Sequence, residues 1–230
     1  VLIKRKKNSG MWPIDPVAAR VPNDWPGWPE GKEFALVLIH DVDTAKGLGN
    51  CMKLLDLEKD LGFASYFNFV PKGYPLPDAT RRTITEAGFE IGVHGLTHEG
   101  RAFKDYGTFS QLVPRINEYL KEWNAAGYTS PSMLGNLRWV ADLNAAYGCS
   151  SFDTDPFEPR PYGVRTVFPF IVPSLAQGRS YVELPYTLPQ DHSLFVLLQE
   201  RDNSIWKRKV DWIAKAGGMV LVNTHPDYMS

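Results

Sequence analysis

Continuously apolar stretches alternate with stretches of helical periodicity along most of this chain. Residues 34–39 are all apolar, which is typical of a strand buried on both faces. Residues 44–61 repeat leucines at helical spacing, which predicts a helix directly after that strand. The same reasoning predicts strands at 64–70, 90–93, 128–130, 150–154, 181–184 and 219–224, helices at 77–87, 109–123, 136–147 and 205–216, and an edge piece or hairpin at 166–172. This alternation predicts an α/β fold with a parallel sheet, open or closed into a barrel.

The N-terminal segment does not follow this pattern. Residues 10–32 hold five prolines and three tryptophans, so neither a regular helix nor a central strand is expected there. We interpret residues 1–32 as a Pro/Trp-rich arm that packs its indoles on the rest of the chain, with a sugar-stacking platform as the alternative. Residues 33–230 are then expected to form one domain.

Composition and charge narrow the possible partners. The chain has 25 basic and 26 acidic residues, which excludes a strongly charged nucleic-acid or acidic-membrane surface. Two cysteines make no disulfide framework, so we expect buried free thiols. No stretch approaches the roughly 20 apolar residues of a membrane span. The absence of a visible signal peptide favours a cytoplasmic location, although the chain begins at Val1 and a leader could have been removed.

The polar residues that carry chemistry follow the predicted strands. They are Asp41 and Asp43 after the first strand, His94 after the third, Asp153 and Asp155 at the fifth, and His225 after the last. In parallel α/β folds the carboxyl ends of the strands meet at one face, and loops there build active sites. The sequence therefore predicts one site at that face.

Two histidines and an acidic pair predict a metal at this site. His94 and His98 are four residues apart, and a carboxylate would supply a third ligand, leaving a position open as in catalytic metal sites. Asp41 and Asp43 would point to the same side of an extended segment, one as a ligand and the other as a base. The alternative for Asp43 is a helix cap, a role that Thr44 could also fill.

His225 is the candidate general acid. It precedes Pro226, which ends the last predicted strand, so the imidazole is expected in the loops. An imidazole titrates near neutral pH and can donate a proton to a leaving group.

Taken in order, these motifs resemble those of the polysaccharide deacetylases of carbohydrate esterase family 4, the NodB-homology domain. Asp41-Val-Asp43 is similar to the family's acidic pair in its spaced form, and residues 221–226 match an apolar strand followed by His-Pro. His94-Gly-Leu-Thr-His98 keeps both histidines of His-Ser/Thr-x-x-His but moves the hydroxyl residue. The resemblance covers residues 33–228 and implies an irregular (β/α)7 barrel.

The resemblance also implies an activity and a role for each residue. Asp43, His94 and His98 would hold a divalent metal, zinc above all, with nickel, cobalt or iron as alternatives. Asp41 would be the base that deprotonates the metal-bound water, and His225 the acid that protonates the leaving amine. The implied reaction removes N-acetyl groups from a sugar or polysaccharide.

The chain departs from the family at the third motif. Where the family has Arg-x-Pro, this chain has Thr129-Ser-Pro131, so the arginine that pairs with the base Asp41 is absent. We therefore expect Asp41 to be less well oriented. The acidic residue of the fourth motif, which orients the catalytic histidine, is either Asp153 or Asp155.

Two further functions stay open on the sequence. One is hydrolysis of a small non-glycan amide at the same site. The other is a glycan-binding homologue that keeps the metal but has impaired catalysis, which the Thr129 substitution suggests. The sequence does not give the oligomeric state.

Overall fold

A computed structural model describes residues 3, 6, 10, 12–154, 163–174 and 179–229. The strands in this part are β1 Ala35–Val42, β2 Tyr66–Phe69, β3 Glu90–His94, β4 Gly127–Thr129, β5 Tyr147–Cys149, β6 Phe170–Pro173, β7 Ser180–Glu183 and β8 Met219–Thr224. The α-helices are α1 Ala45–Asp60, α2 Asp78–Glu86, α3 Tyr106–Glu122, α4 Leu137–Val140 and α5 Ser204–Lys215. Short helical turns occur at Pro16–Ala19, Pro29–Gly31, Arg101–Phe103, Pro131–Met133, His192–Leu197 and Pro226–Tyr228.

The chain divides into two units. The first unit comprises residues 1–37, 151–170 and 184–223, and the second comprises 38–150, 171–183 and 224–230. None of the helices in the described ranges combines the length and the apolar character that a membrane span needs.

The second unit contains a sheet with the strand order β6-β7-β5-β4-β3-β2-β1. The pairs from β1 to β5 are parallel, and so is the pair β5 and β7. This register aligns Asp41 with Asn68 and His94 with Thr129, so residues far apart in sequence meet at one edge. The parallel arrangement predicted from the strand–helix alternation is confirmed here.

Local sequence explains why the helix next to the site begins where it does. Thr44 is the N-cap of α1, and its hydroxyl oxygen accepts a hydrogen bond from the Lys46 N–H. Cys51 and Leu55 on α1 are buried, which anchors one face of the helix. Cys51 and Cys149 are both buried free thiols, as predicted.

The first unit has its own apolar core. This core contains Ala18, Val167, Phe168, Leu188, Ile213 and Val220. The Trp25 ring lies 4.8 Å from that of Trp28 and 5.2 Å from that of Phe168, centroid to centroid. The Trp28 indole N–H donates to the Gly217 carbonyl oxygen at 2.8 Å. These two tryptophans therefore pack on the unit, whereas the domain boundary at residue 32 stays a prediction.

Two predicted elements near the middle of the chain were wrong. The helix expected at 136–147 is limited to Leu137–Val140, and the strand expected at 150–154 lies at Tyr147–Cys149. The reason is tertiary: residues 147–149 pair in parallel with β4, and this pairing outweighs the helical tendency of the preceding alanines. As a result Asp153 lies beyond the end of β5. Asp41 was also expected after the first strand, but it lies within β1.

Candidate metal centre

Three predicted ligands come together in the second unit. The ligand atoms of Asp43, His94 and His98 all lie within 4.8 Å of one another. Asp43 Oδ1 is 3.4 Å from His94 Nε2 and 3.1 Å from His98 Nε2. His94 ends β3 and is buried, whereas the His98 side chain is 37% exposed in the following loop. The centre is therefore closed on the His94 side and open on the His98 side.

The spacing of these atoms fits a metal ion. In a tetrahedral zinc site with bonds of about 2.0–2.1 Å, neighbouring ligand atoms lie about 3.3 Å apart. The two contacts of Asp43 Oδ1, at 3.1 and 3.4 Å, bracket that separation. This oxygen is buried, and neither imidazole contact has the geometry of a hydrogen bond. Two imidazoles and a carboxylate are also the donor set that a divalent transition metal favours, so the residues fit such an ion.

Electrostatics hold the Asp43 carboxyl in its ionised form. Burial would raise its pKa, but the close imidazoles of His94 and His98, with the charge of His225, bring the pKa well below its usual value. Burial would likewise lower the pKa of His94, yet the carboxylates of Asp41 and Asp43 raise it above 6.5. A proton and a metal ion compete for the imidazole of His94, so metal binding should weaken as the pH falls.

Asp41 lies on the other side of the same imidazole. Asp41 is 2% exposed, and its Oδ1 accepts hydrogen bonds from Asn68 Nδ2 at 2.9 Å and Thr129 Oγ1 at 3.3 Å. The same oxygen is 3.7 Å from His94 Nδ1. The absence of the arginine predicts a less well oriented Asp41, and the structure has two neutral donors that orient it. Arg138 is the arginine closest to Thr129 in the sequence, and it is exposed on α4.

His225 follows β8 directly, as predicted. His225 is buried, and its ring centroid lies 5.3 Å from the ring centroid of Tyr228. Its charge contributes to the pKa of both Asp43 and His94, which places it in the electrostatic surroundings of the centre. The structure thus groups His225 with the predicted ligands, while its role as an acid stays a prediction.

Two residues that the sequence did not reveal hold the site in place. Asn68 supports Asp41, and Asp227 supports the segment that carries Asp43. The Asp227 carboxylate accepts a hydrogen bond from the Asp43 N–H at 3.0 Å and another from the Thr44 hydroxyl. The nearness of Asp227 to His225, two residues earlier in the sequence, could have pointed to Asp227. Asn68 had none, since only the pairing of β1 and β2 brings it to Asp41.

We predict that Asp227→Ala loosens the ligand segment. Both hydrogen-bond donors would lose their acceptor, at a cost of about 1–3 kcal/mol in the free energy of unfolding. Because Asp43 is a proposed ligand, metal affinity should fall as well. Urea unfolding and a zinc titration of the same preparation would measure the two effects. Unchanged affinity would show that Asp227 serves stability alone.

Pro131 limits which residue can directly follow His94. A Cβ built on Gly95 would lie 2.3 Å from Pro131 Cγ, and Gly95 has a φ of +63°. A serine or threonine directly after His94 would therefore collide with the proline ring and strain the backbone. The close proline ring and the positive φ therefore account for a glycine directly after His94 in this chain.

Asp153 is part of a buried ion pair in the first unit. Lys209 Nζ lies 2.9 Å from Asp153 Oδ1 and 2.8 Å from Oδ2, and both side chains are at most 2% exposed. Burial raises the pKa of Asp153 to about 6, although the Lys209 ammonium opposes this shift. That Asp153 orients His225 stays a prediction. Asp155, the other candidate, lies outside the described residues.

We predict that Lys209→Met destabilises the protein by about 3–5 kcal/mol at neutral pH, because the variant leaves a buried carboxylate without its cation. The folded-state pKa of Asp153 is raised from 3.8, so the folded protein binds this proton more tightly and the carboxyl contributes less stability as the pH rises. Losing Lys209 raises that pKa further. The deficit of the variant should therefore be larger at about pH 8 than at about pH 5. Equal deficits in denaturant unfolding at both pH values would contradict this assignment.

The chain is thus a β/α protein with parallel strand pairs and a candidate metal centre at the strand ends. No protein-family model and no curated protein matches the chain. Solved structures do match. A putative polysaccharide deacetylase from Mycobacterium smegmatis has a TM-score of 0.69 at 19% identity, covering 90% of this chain and 82% of that chain. The Puue allantoinase has a TM-score of 0.70 at 17% identity, covering 94% and 85%. BA3943, a CE4 family pseudoenzyme from Bacillus anthracis, has a TM-score of 0.53 at 14% identity, covering 87% and 57%.

At these identities the likeness shows the fold. The chain has the irregular (β/α) barrel fold of the polysaccharide deacetylases, which confirms the fold that the motifs implied. The same fold is shared by an allantoinase and by a pseudoenzyme, so the fold alone does not fix the reaction.

Proposed function

We propose that this protein is a metal-dependent hydrolase of carbohydrate esterase family 4 that removes N-acetyl groups from a sugar or polysaccharide. The observation that carries the proposal is the position of His94 between two carboxylates. Its Nε2 faces Asp43, and its Nδ1 side faces Asp41. A candidate ligand group and a candidate base therefore flank one imidazole.

Each residue has a distinct part in the proposed reaction. Asp43, His94 and His98 would hold a divalent ion, which when bound supplies Lewis-acid catalysis and lowers the pKa of water. Asp41 takes the proton of the attacking water, because it is a buried carboxylate fixed by two neutral donors. His225 donates a proton to the leaving amine nitrogen, since an imidazole can be both protonated and acidic near neutral pH.

A small non-glycan amide is the second candidate substrate. The likeness to the Puue allantoinase, which matches the chain as well as the deacetylase does, favours it. The same metal ligands, base and acid would serve either amide. The two substrates differ in size, so a panel of N-acetylated oligosaccharides, peptidoglycan fragments and small cyclic amides separates them.

An impaired homologue is the third candidate. The absence of the family arginine and the likeness to a pseudoenzyme favour it. The hydrogen bonds that Asp41 accepts from Asn68 and Thr129 count against it, because they orient the base without an arginine. We therefore place catalysis ahead of binding alone.

Metal content and product release test the proposal together. We expect about one equivalent of divalent metal per chain in an untagged preparation, and release of acetate from an N-acetylated glycan. Release should stop on treatment with a chelator and return with added zinc. A metal-loaded protein that releases no acetate, and turns over a cyclic amide, would replace the proposal with the second candidate. A metal-loaded protein without turnover on the whole panel would favour the third.

A further inference from the structure

The Thr129 hydroxyl connects the two halves of the centre. Thr129 is fully buried, and its Oγ1 lies 2.6 Å from His94 Nδ1 and 3.3 Å from Asp41 Oδ1. The register of β3 and β4 sets Thr129 opposite His94. Its carbonyl oxygen also accepts a hydrogen bond from the Gly95 N–H at 3.1 Å. Both the backbone and the side chain of Thr129 therefore hold the residue pair that begins the histidine motif.

The chemistry of a hydroxyl fixes the direction of these hydrogen bonds. A threonine hydroxyl has one proton, and an ionised carboxylate can only accept. The Thr129 proton therefore goes to Asp41, and the Thr129 oxygen accepts a proton from His94 Nδ1–H. With Nδ1 protonated, the Nε2 lone pair of His94 is left for the side that faces Asp43.

We propose that Thr129 is a positioning residue that keeps His94 in the Nδ1–H form for metal binding and holds Asp41 beside it. For the role of Asp41 this inference rests on the proposed function. The effect of Thr129 on His94, however, can be measured without any substrate. Thr129 would then do with a neutral hydroxyl what the family does with a charged side chain, and it would link the base to a ligand directly.

Two substitutions at Thr129 separate the hydroxyl from the packing. Thr129→Val keeps the shape and removes the hydroxyl, whereas Thr129→Ser keeps the hydroxyl and removes a methyl group. Loss of a hydrogen-bond partner behind a metal-bound histidine typically weakens metal binding by about 10–100-fold. We expect this loss in Thr129→Val, and most of the affinity restored in Thr129→Ser. Competition between the protein and a chromophoric chelator for zinc measures both.

An NMR signature tests the hydrogen bond itself. In protein labelled with ¹⁵N-histidine, we expect a slowly exchanging, downfield Nδ1–H resonance from His94 in the parent and in Thr129→Ser, and its absence in Thr129→Val. Thr187→Val is the matched control, because the buried Thr187 hydroxyl of the first unit donates to the Met219 carbonyl oxygen. This control should lose stability and keep both the resonance and the zinc affinity.

The outcomes distinguish this inference from the proposed function. A folded Thr129→Val that binds zinc like the parent and keeps the resonance would overturn the positioning role. So would a folded Thr129→Ser that fails as Thr129→Val does. If the parent binds zinc in a Thr129-dependent way but hydrolyses no amide, the proposed function fails and the positioning role stands. If the parent binds no zinc, the metal site fails, and the Nδ1–H resonance still decides whether Thr129 holds His94.

Discussion

Asp43→Ala is expected to remove metal binding and hydrolysis together. Asp43 Oδ1 is the atom that both imidazoles approach, at 3.4 and 3.1 Å, so the variant deletes the common partner in the set. Losing a residue that hydrogen-bonds to a metal ligand lowers metal affinity by about 10–100-fold. Losing a ligand itself should lower the affinity by more than the upper end of that range. Turnover should fall at least in proportion, because the proposed reaction needs the loaded centre.

The measurement pairs a zinc titration with an acetate-release assay on the same sample. Asp56→Ala is the matched control, since Asp56 is an exposed carboxylate on α1. The control should keep both properties. The two histidines without Asp43 should repel when protonated, so the variant needs a thermal unfolding curve to show that it is folded. A folded Asp43→Ala that retains stoichiometric zinc and activity would remove the basis of the proposed function.

His225→Asn is expected to separate turnover from metal binding. Asparagine keeps a polar side chain of similar reach but cannot donate a titratable proton. General acid catalysis typically contributes about 10²–10⁴-fold, so kcat should fall by that factor while zinc affinity stays close to that of the parent. KM should change little, because a proton donor acts in the transition state rather than in substrate binding.

The pH profile adds a second test of His225. With His225 as the acid, the parent loses kcat at high pH as the imidazole deprotonates, and the variant should lack this limb. His192→Asn serves as the matched control, because His192 lies in the first unit, in the turn His192–Leu197, whereas His225 belongs to the second unit. If zinc affinity falls in parallel with kcat in His225→Asn, then His225 acts through the metal centre rather than as the acid.

The elements from β1 to β3 could be predicted closely from the pattern of apolar and polar residues. The α1 helix and the strand that ends at His94 lie within a few residues of their predicted positions, because apolar runs and helical spacing are local properties. The region around β5 was predicted poorly for the opposite reason. Its strand is only three residues long, and it is defined by pairing with β4 and β7 rather than by its own composition.

The site shows the same division between local and tertiary information. By itself, the sequence identified Asp43, His94 and His98 as candidate metal ligands, from their residue types, their spacing and their places at or just after predicted strands. It also showed that Thr129 stands where the family has arginine. Only the tertiary structure showed which groups that threonine contacts, and only it revealed the supports from Asn68 and Asp227. The physical reason is strand register: parallel pairing brings together side chains that are dozens of residues apart, and no local pattern encodes that pairing.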